Sequence, residues 1–255
     1  MSVPVAIRSV KKVYSTKGAP IHAFGPVDLE IASGRFISLV GPSGCGKSTI
    51  LLMIAGLLDC TEGELYVDGR RVTGPQTDIG MVFQGSVLVD WRSVIGNVML
   101  QIEMRGLRRR NYLERARALL RSVGLQEFAD RHPYELSGGM QQRTAFCRAL
   151  IHDPPLILMD EPLGALDAMT REQLRSDLER LWMETPKTVI FVTHSIEEAV
   201  QLSDEVVVIS PRPGQIVRRM AVPLPRPRTM AVREGAEFHR LVDEVRHIFR
   251  GYGVI

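Results

Sequence analysis

Gly41-Pro42-Ser43-Gly44-Cys45-Gly46-Lys47-Ser48-Thr49 fits the pattern G-x-x-x-x-G-K-[ST], the spacing of a loop that wraps phosphate groups. Glycines let successive backbone N–H groups turn inward around phosphate oxygens without Cβ clashes. A helix opening straight after the loop adds unpaired N–H donors and a partial positive charge. Lys47 is long enough to reach β- and γ-phosphates, and the Ser48 hydroxyl suits Mg²⁺. Asp160 and Glu161 close the apolar run Leu156-Ile157-Leu158-Met159. Asp160 there can hold Mg²⁺ through water, while Glu161 orients and deprotonates an attacking water. Taken alone, such a pair also reads as a strand end meeting solvent; the phosphate loop upstream favours the chemical reading. His194 follows another apolar run, Thr188–Thr193, and reads either as a structural histidine or, in this company, as a contact to a γ-phosphate. Leu136-Ser137-Gly138-Gly139 opens a helix and reads either as a second anion nest or as a plain Ser137 N-cap. Two phosphate-binding helix starts need two phosphate groups, or two chains sharing one nucleotide. Tyr14, in a turn-rich segment, is either a platform for an adenine ring or an ordinary tyrosine.

These residues need a frame. The first eighty residues read as strands joined by turns, namely Val3–Val10, Val27–Ile31, Phe36–Val40, Glu64–Val67 and Ile79–Phe83, with Asp68-Gly69 as a hairpin turn. From about Gly85 to Asp153 the pattern is helical, with Tyr112, Ala116, Leu119, Leu120 and Val123 on one face. Strands Leu156–Met159, Thr188–Thr193 and Glu205–Ile209 then alternate with helices, and their all-apolar runs suit burial on both faces. Leu174, Leu178 and Leu181 mark one of those helices, and Ser195-x-x-Glu198 is a capping box opening the next. Prolines in Leu224-Pro225-Arg226-Pro227-Arg228 bar helix and ladder alike, so a linker is expected there, followed by an amphipathic helix from Phe238 to Phe249.

A chain of 255 residues buries a large core. Its net charge of +3 is too mild to argue for nucleic acid and is compatible with work beside an anionic membrane. Met1–Arg8 lacks the apolar stretch of a leader, and the longest apolar run, Ile50–Leu58, is too short to span a bilayer. Cys45, Cys60 and Cys147 have neither paired count nor metal spacing, which fits a reducing compartment. Cys45, inside the phosphate loop beside Lys47 and a helix start, is expected to be a reactive thiolate, the other reading being an inert small residue that fills the turn. Arg105-Gly106-Leu107-Arg108-Arg109-Arg110 reads as a solvated face, with a lipid-headgroup contact as the other reading.

In order along the chain, the phosphate loop, Gln84, the Leu136–Gly139 signature, Asp160-Glu161, Gly164-Ala165-Leu166-Asp167 and His194 resemble the ATP-binding subunit of an ABC transporter. The resemblance implies an α/β fold: a P-loop NTPase core with an N-terminal antiparallel β sub-domain and an inserted α-helical sub-domain. It implies one ATPase domain over 3–250, with the core in 1–84 and 154–222, helices in 85–153, and a tail in 223–255. It implies ATP and Mg²⁺, with Gly41, Pro42, Ser43, Gly44, Cys45, Gly46, Lys47, Ser48 and Thr49 around the phosphates and Tyr14 on adenine. Ser48, Gln84 and Asp160 would serve the metal, and Glu161, His194, Gln84 and Lys47 catalysis. Ser137, Gly138 and Gly139 would serve the ATP of a second copy in a homodimer, with Asp167 at the seam. Asp90-Trp91-Arg92-Ser93-Val94, His132-Pro133-Tyr134-Glu135, Ser210-Pro211-Arg212-Pro213-Gly214 and the tail resemble the nitrate/sulfonate/taurine importer branch. That branch implies a peripheral protein on the cytoplasmic face, a membrane permease as partner, and indirectly a periplasmic or lipoprotein solute-binding protein. The apolar cluster Val87, Leu88, Val89 and Trp91 after Gln84 reads either as the permease contact, with Trp91 its anchor, or as part of the helical sub-domain's own core. Met140, Gly85-Ser86 and Asp90 depart from the family pattern. A soluble ABC ATPase acting on nucleic acid or ribosomes is the rival; one phosphate loop, no heptad run and no metal-spaced cysteines speak against it. A non-hydrolysing subunit would lack Lys47 or Glu161, and both are present.

Overall fold

Apolar runs become strands and periodic stretches become helices, in the order β1 (Val5–Tyr14), β2 (Ile21–Ile31), β3 (Phe36–Val40), α1 (Lys47–Ile54), β4 (Glu62–Val67), β5 (Arg70–Arg71), β6 (Ile79–Val82), α2 (Val94–Met104) and α3 (Leu113–Ser122). There follow α4 (Gly138–Leu150), β7 (Leu156–Asp160), α5 (Ala168–Glu184), β8 (Thr188–Thr193), α6 (Ile196–Leu202), β9 (Glu205–Ile209), β10 (Ile216–Ala221), α7 (Met230–Arg233) and α8 (Ala236–Gly251). This is a computed structural model, and it describes residues 1–254. The chain forms two compact units, Met1–Thr77 with Pro186–Ile255, and Asp78–Thr185.

The first unit holds an antiparallel sheet in the order β2-β1-β4-β5 and, separately, strands in the order β10-β9-β3-β8. β3 runs parallel to both β8 and β9. All five β3 residues and all six of β8 are buried, which is why these runs are apolar without alternation. β1 extends past the expected Val10 to Tyr14, because β4 pairs with it as far as Lys11 and β2 as far as Tyr14, overriding the weak strand preference of Lys11 and Lys12. α8 lays Phe238, Leu241, Val242, Val245 and Phe249 onto Ala199 and Val200 of α6 and Val206 and Val208 of β9. Each such fully buried side chain contributes about 1.5–3 kcal/mol. The Pro-Arg stretch before it has no regular element, as the prolines require, yet it is packed: Arg228 is 3% exposed.

The second unit pairs β6 with β7 in parallel and gathers α2, α3 and α4 around a shared core. Val94, Val98, Met99 and Ile102 of α2 meet Ala116 and Leu120 of α3 and Cys147 of α4. Helix begins at Val94, later than the expected Gly85, with Ser93 as N-cap. The residues before it are tied by Asn97, fully buried, whose side chain donates to the Val89, Arg92 and Ser93 carbonyls and accepts from Val89 N–H. In the arginine run, Arg108, Arg109 and Arg110 are exposed, but Arg105 is mostly covered and pairs with Asp78 at 3.0 Å.

Candidate functional site

In the first unit, the loop from Gly41 to Gly46 joins the carboxyl end of β3 to the start of α1. Gly46 is the α1 N-cap with φ 99°, and a Cβ there would stand 2.9 Å from the Ala23 carbonyl, so glycine is required. No side chain caps α1, and a helix start of this kind is where an anion is favoured. Ser43, Gly44 and Ser48 are exposed, whereas Lys47 is 4% exposed with its ammonium donating to the Gly41 and Pro42 carbonyls, each at 2.9 Å. The lysine is thus held inside the loop. Tyr14 ends β1 half-exposed with its hydroxyl 3.4 Å from Thr49 Oγ1, beside the loop, and Lys12 lies 5.3 Å from its ring centroid. His194 is exposed directly after β8, and its neighbours are fixed: Thr193 Oγ1 donates to Glu198 at 2.6 Å and accepts from Ser195 N–H, while Ser195 caps α6.

Cys45 corrects an expectation. A loop cysteine beside Lys47 and a helix start should favour thiolate and react readily. Instead it is 1% exposed, and burial pushes its thiol up more strongly than Lys47, 3.8 Å away, pulls it down. It is a packing residue of the turn.

In the second unit, Asp160 is the last residue of β7 and Glu161 follows it, both half-buried. Glu161 sits at φ 44°, a left-handed conformation that costs a non-glycine residue roughly 1–3 kcal/mol. The strained turn aims its carboxylate at Gln84, whose amide nitrogen is 3.5 Å away. Ser137 caps α4 by accepting from Met140 N–H at 3.3 Å, with Gly138 in open space and Gly139 packed so closely that a Cβ would collide with Thr170. Asp167 caps α5 through Thr170, whose hydroxyl and N–H hold the carboxyl below the usual carboxylate range.

Several working residues carried no motif. Gln142 donates to the Phe83 carbonyl at 3.1 Å, Ser86 donates to Gln141 at 3.1 Å, and Arg148 donates to the Ser86 and Val87 carbonyls at 2.9 and 2.7 Å. The helix that Ser137 caps therefore grips the loop that carries Gln84. Beyond that loop Val87 is 64% and Trp91 83% exposed, so the pair stays outside the unit's core.

The Ser48 hydroxyl in the first unit, and the Asp160 carboxylate and Gln84 amide in the second, each carry oxygen, the donor type Mg²⁺ takes. Among the described residues no group of three or more His, Cys, Asp or Glu forms a cage, and an ion shared with substrate phosphates needs none. The glycine hinges at Gly44 and Gly46 likewise fit a polyphosphate.

A family model described as ABC transporter matches residues 24–164. An uncharacterised ABC transporter ATP-binding protein of Methanocaldococcus jannaschii is 43% identical over 242 residues, 95% of this chain and 91% of its own. A taurine import ATP-binding protein of Rhizobium johnstonii is 46% identical over 236 residues, 91% of this chain and 90% of its own. Among solved structures, the dimeric structure of a bacterial ABC transporter cassette superposes with a TM-score of 0.76 at 35% identity, covering 86% of this chain and 98% of that one. A dimeric post-hydrolysis cassette bound to ADP and Pi superposes at 0.74 with 36% identity.

Proposed function

The chain belongs to the ABC transporter family, and on that premise we propose that it is the ATP-hydrolysing subunit of an importer for a small solute such as taurine, another sulfonate or nitrate. The chemistry is that of an ABC-type ATPase, with ATP as substrate. The observation that carries the reading is the uncapped start of α1 behind a glycine-hinged loop with Lys47 enclosed in it. Phosphoryl transfer to water is mostly positioning and charge neutralisation, which such a loop supplies. In this reading Gly41–Thr49 hold the phosphates and Tyr14 the adenine. Ser48, Asp160 and Gln84 are the residues that would hold Mg²⁺, which would supply charge neutralisation for the phosphates. Glu161 takes the proton of the attacking water, Gln84 orients that water, and His194 contacts the γ-phosphate.

Ser137, Gly138 and Gly139 then serve the nucleotide of a second copy, with Asp167 at the seam, and the two copies close as a homodimer. The working division is a core in 1–84 and 154–222, helices in 85–153 and a tail in 223–255. No described helix is long and apolar enough to cross a membrane, and a peripheral seat on the cytoplasmic face, docked to a separate permease through Trp91, suits the reading. A periplasmic or lipoprotein solute-binding protein completes the importer.

The test is reconstitution with the permease and binding protein, measuring ATPase stimulation by taurine, an alkanesulfonate and nitrate. Stimulation by taurine or the alkanesulfonate supports the sulfonate reading; stimulation by nitrate replaces the solute while keeping the importer. Association with ribosomes or DNA, without any permease, contradicts the importer itself.

A further inference from the structure

α6 is seven residues long, and His194 stands one residue before its Ser195 cap. A helix end leaves its last four carbonyls without partners inside the helix. Here all four are satisfied, and two arginines from the tail satisfy three of them. Ser203 N–H donates to the Ala199 carbonyl at 3.2 Å. Arg228 donates to Val200 at 2.8 Å and Gln201 at 3.0 Å, and Arg226 donates to Leu202 at 2.6 Å. Arg228 reaches on to the Ser203, Val222 and Leu224 carbonyls, which ties α6 to the strand exit after β10. A buried guanidinium at a helix C-terminus also meets the negative end of the helix dipole. Flanking Pro225 and Pro227 have no N–H to compete for these carbonyls.

The opposite end of α6 is equally determined. Glu198, 5% exposed, accepts from Thr193 and offers its N–H to Ser195, so the two residues around His194 are pinned to the helix. A seven-residue helix is about 10 Å long at 1.5 Å per residue. Any shift at its C-terminus is carried as a rigid rod to His194.

We propose that Arg226 and Arg228 are positioning residues: by capping α6 they set His194, so that the tail works as part of the ATPase. This rests on the reading of His194 as a γ-phosphate contact. Lysine at 228 keeps the charge but cannot fork to several carbonyls.

The experiment is a double-mutant cycle on ATPase rate, with ring signals of isotope-labelled histidine as an independent readout. Arg228→Lys is expected to lower kcat about tenfold, with the KM for ATP near wild type. In a His194→Ala background the same change should alter kcat less than twofold, because neighbours acting through one group are non-additive. Losses that multiply in full overturn the proposal. The His194 ring signal should move in Arg228→Lys, and an unmoved signal overturns the proposal whatever the rates show. Should His194→Ala alone hydrolyse ATP at the wild-type rate, the catalytic reading of His194 falls and the ring signal judges the positioning by itself. If Arg228→Lys fails to fold, Arg226→Ala takes its place, with the same shift expected and the same absence counting against it.

Discussion

Cys45 illustrates what a motif leaves out at the scale of single residues. Its neighbours, Lys47 and a helix start, are legible in the chain and favour a thiolate. Burial is not legible, and it wins: the thiol is pushed up and covered. Maleimide on the nucleotide-free protein is therefore expected to label half-buried Cys60 first, leaving Cys45 and the fully buried Cys147, whose thiol is pushed up to about 12. Fast modification of Cys45 with protection by MgATP, read by peptide mass, restores the reactive-thiol expectation. Lys47 and Ser48 carry a signature that needs no fold to be read. The strain at Glu161 needs coordinates, since nothing in an Asp-Glu-Pro run states a φ of 44°. Arg228 looked like linker, because proline spacing records only which elements are barred and is silent on what a side chain meets.

Strands were the easiest elements to read, since β3 and β8 are buried on both faces and carry unbroken apolar runs. Their ends were harder to read, because pairing partners decide them, as the extension of β1 to Tyr14 makes plain. The grip of α4 on the Gln84 loop was invisible, being made of side chains bonded to carbonyls some sixty positions away. Arg148→Lys loses one of the two forked bonds to Ser86 and Val87. It is expected to lower kcat about tenfold, at unchanged nucleotide affinity and with a melting temperature near wild type. A normal kcat shows that the loop holds its own shape. At the turn between α4 and β7, burial first and then the positive charge of Arg105 push His152 down to about 4, with Arg115 adding to this and Asp78 opposing it. Its unfolded value is near 6.5. The unfolded chain therefore binds the extra proton between those limits, and stability falls as pH drops from about 6.5 to about 4. His152→Leu should flatten that part of the melting-temperature profile, whereas an unchanged slope assigns it to other groups.

At the scale of the whole molecule, the proposed function joins hydrolysis to assembly with a permease and with a second copy. Trp91, at 83% exposure, contributes little to the fold of its unit and is the residue expected to anchor the permease. Trp91→Ala should keep the melting temperature and nucleotide affinity, and should weaken permease co-purification by about 2 kcal/mol or more, roughly 30-fold. A large fall in melting temperature with assembly intact moves the interface elsewhere. The family order of motifs made the ATPase class legible, and the solute has no counterpart in the sequence because the motifs it carries are those of nucleotide chemistry. The central claim is ATP hydrolysis by this chain with Glu161 as general base, and steady-state ATPase assay of Glu161→Gln beside sedimentation with MgATP tests it most directly. The expected result is retained ATP binding, hydrolysis slower by roughly 10²–10⁴-fold, and an accumulated ATP-bound dimer. Wild-type turnover in that variant, with no dimer trapped, contradicts the account.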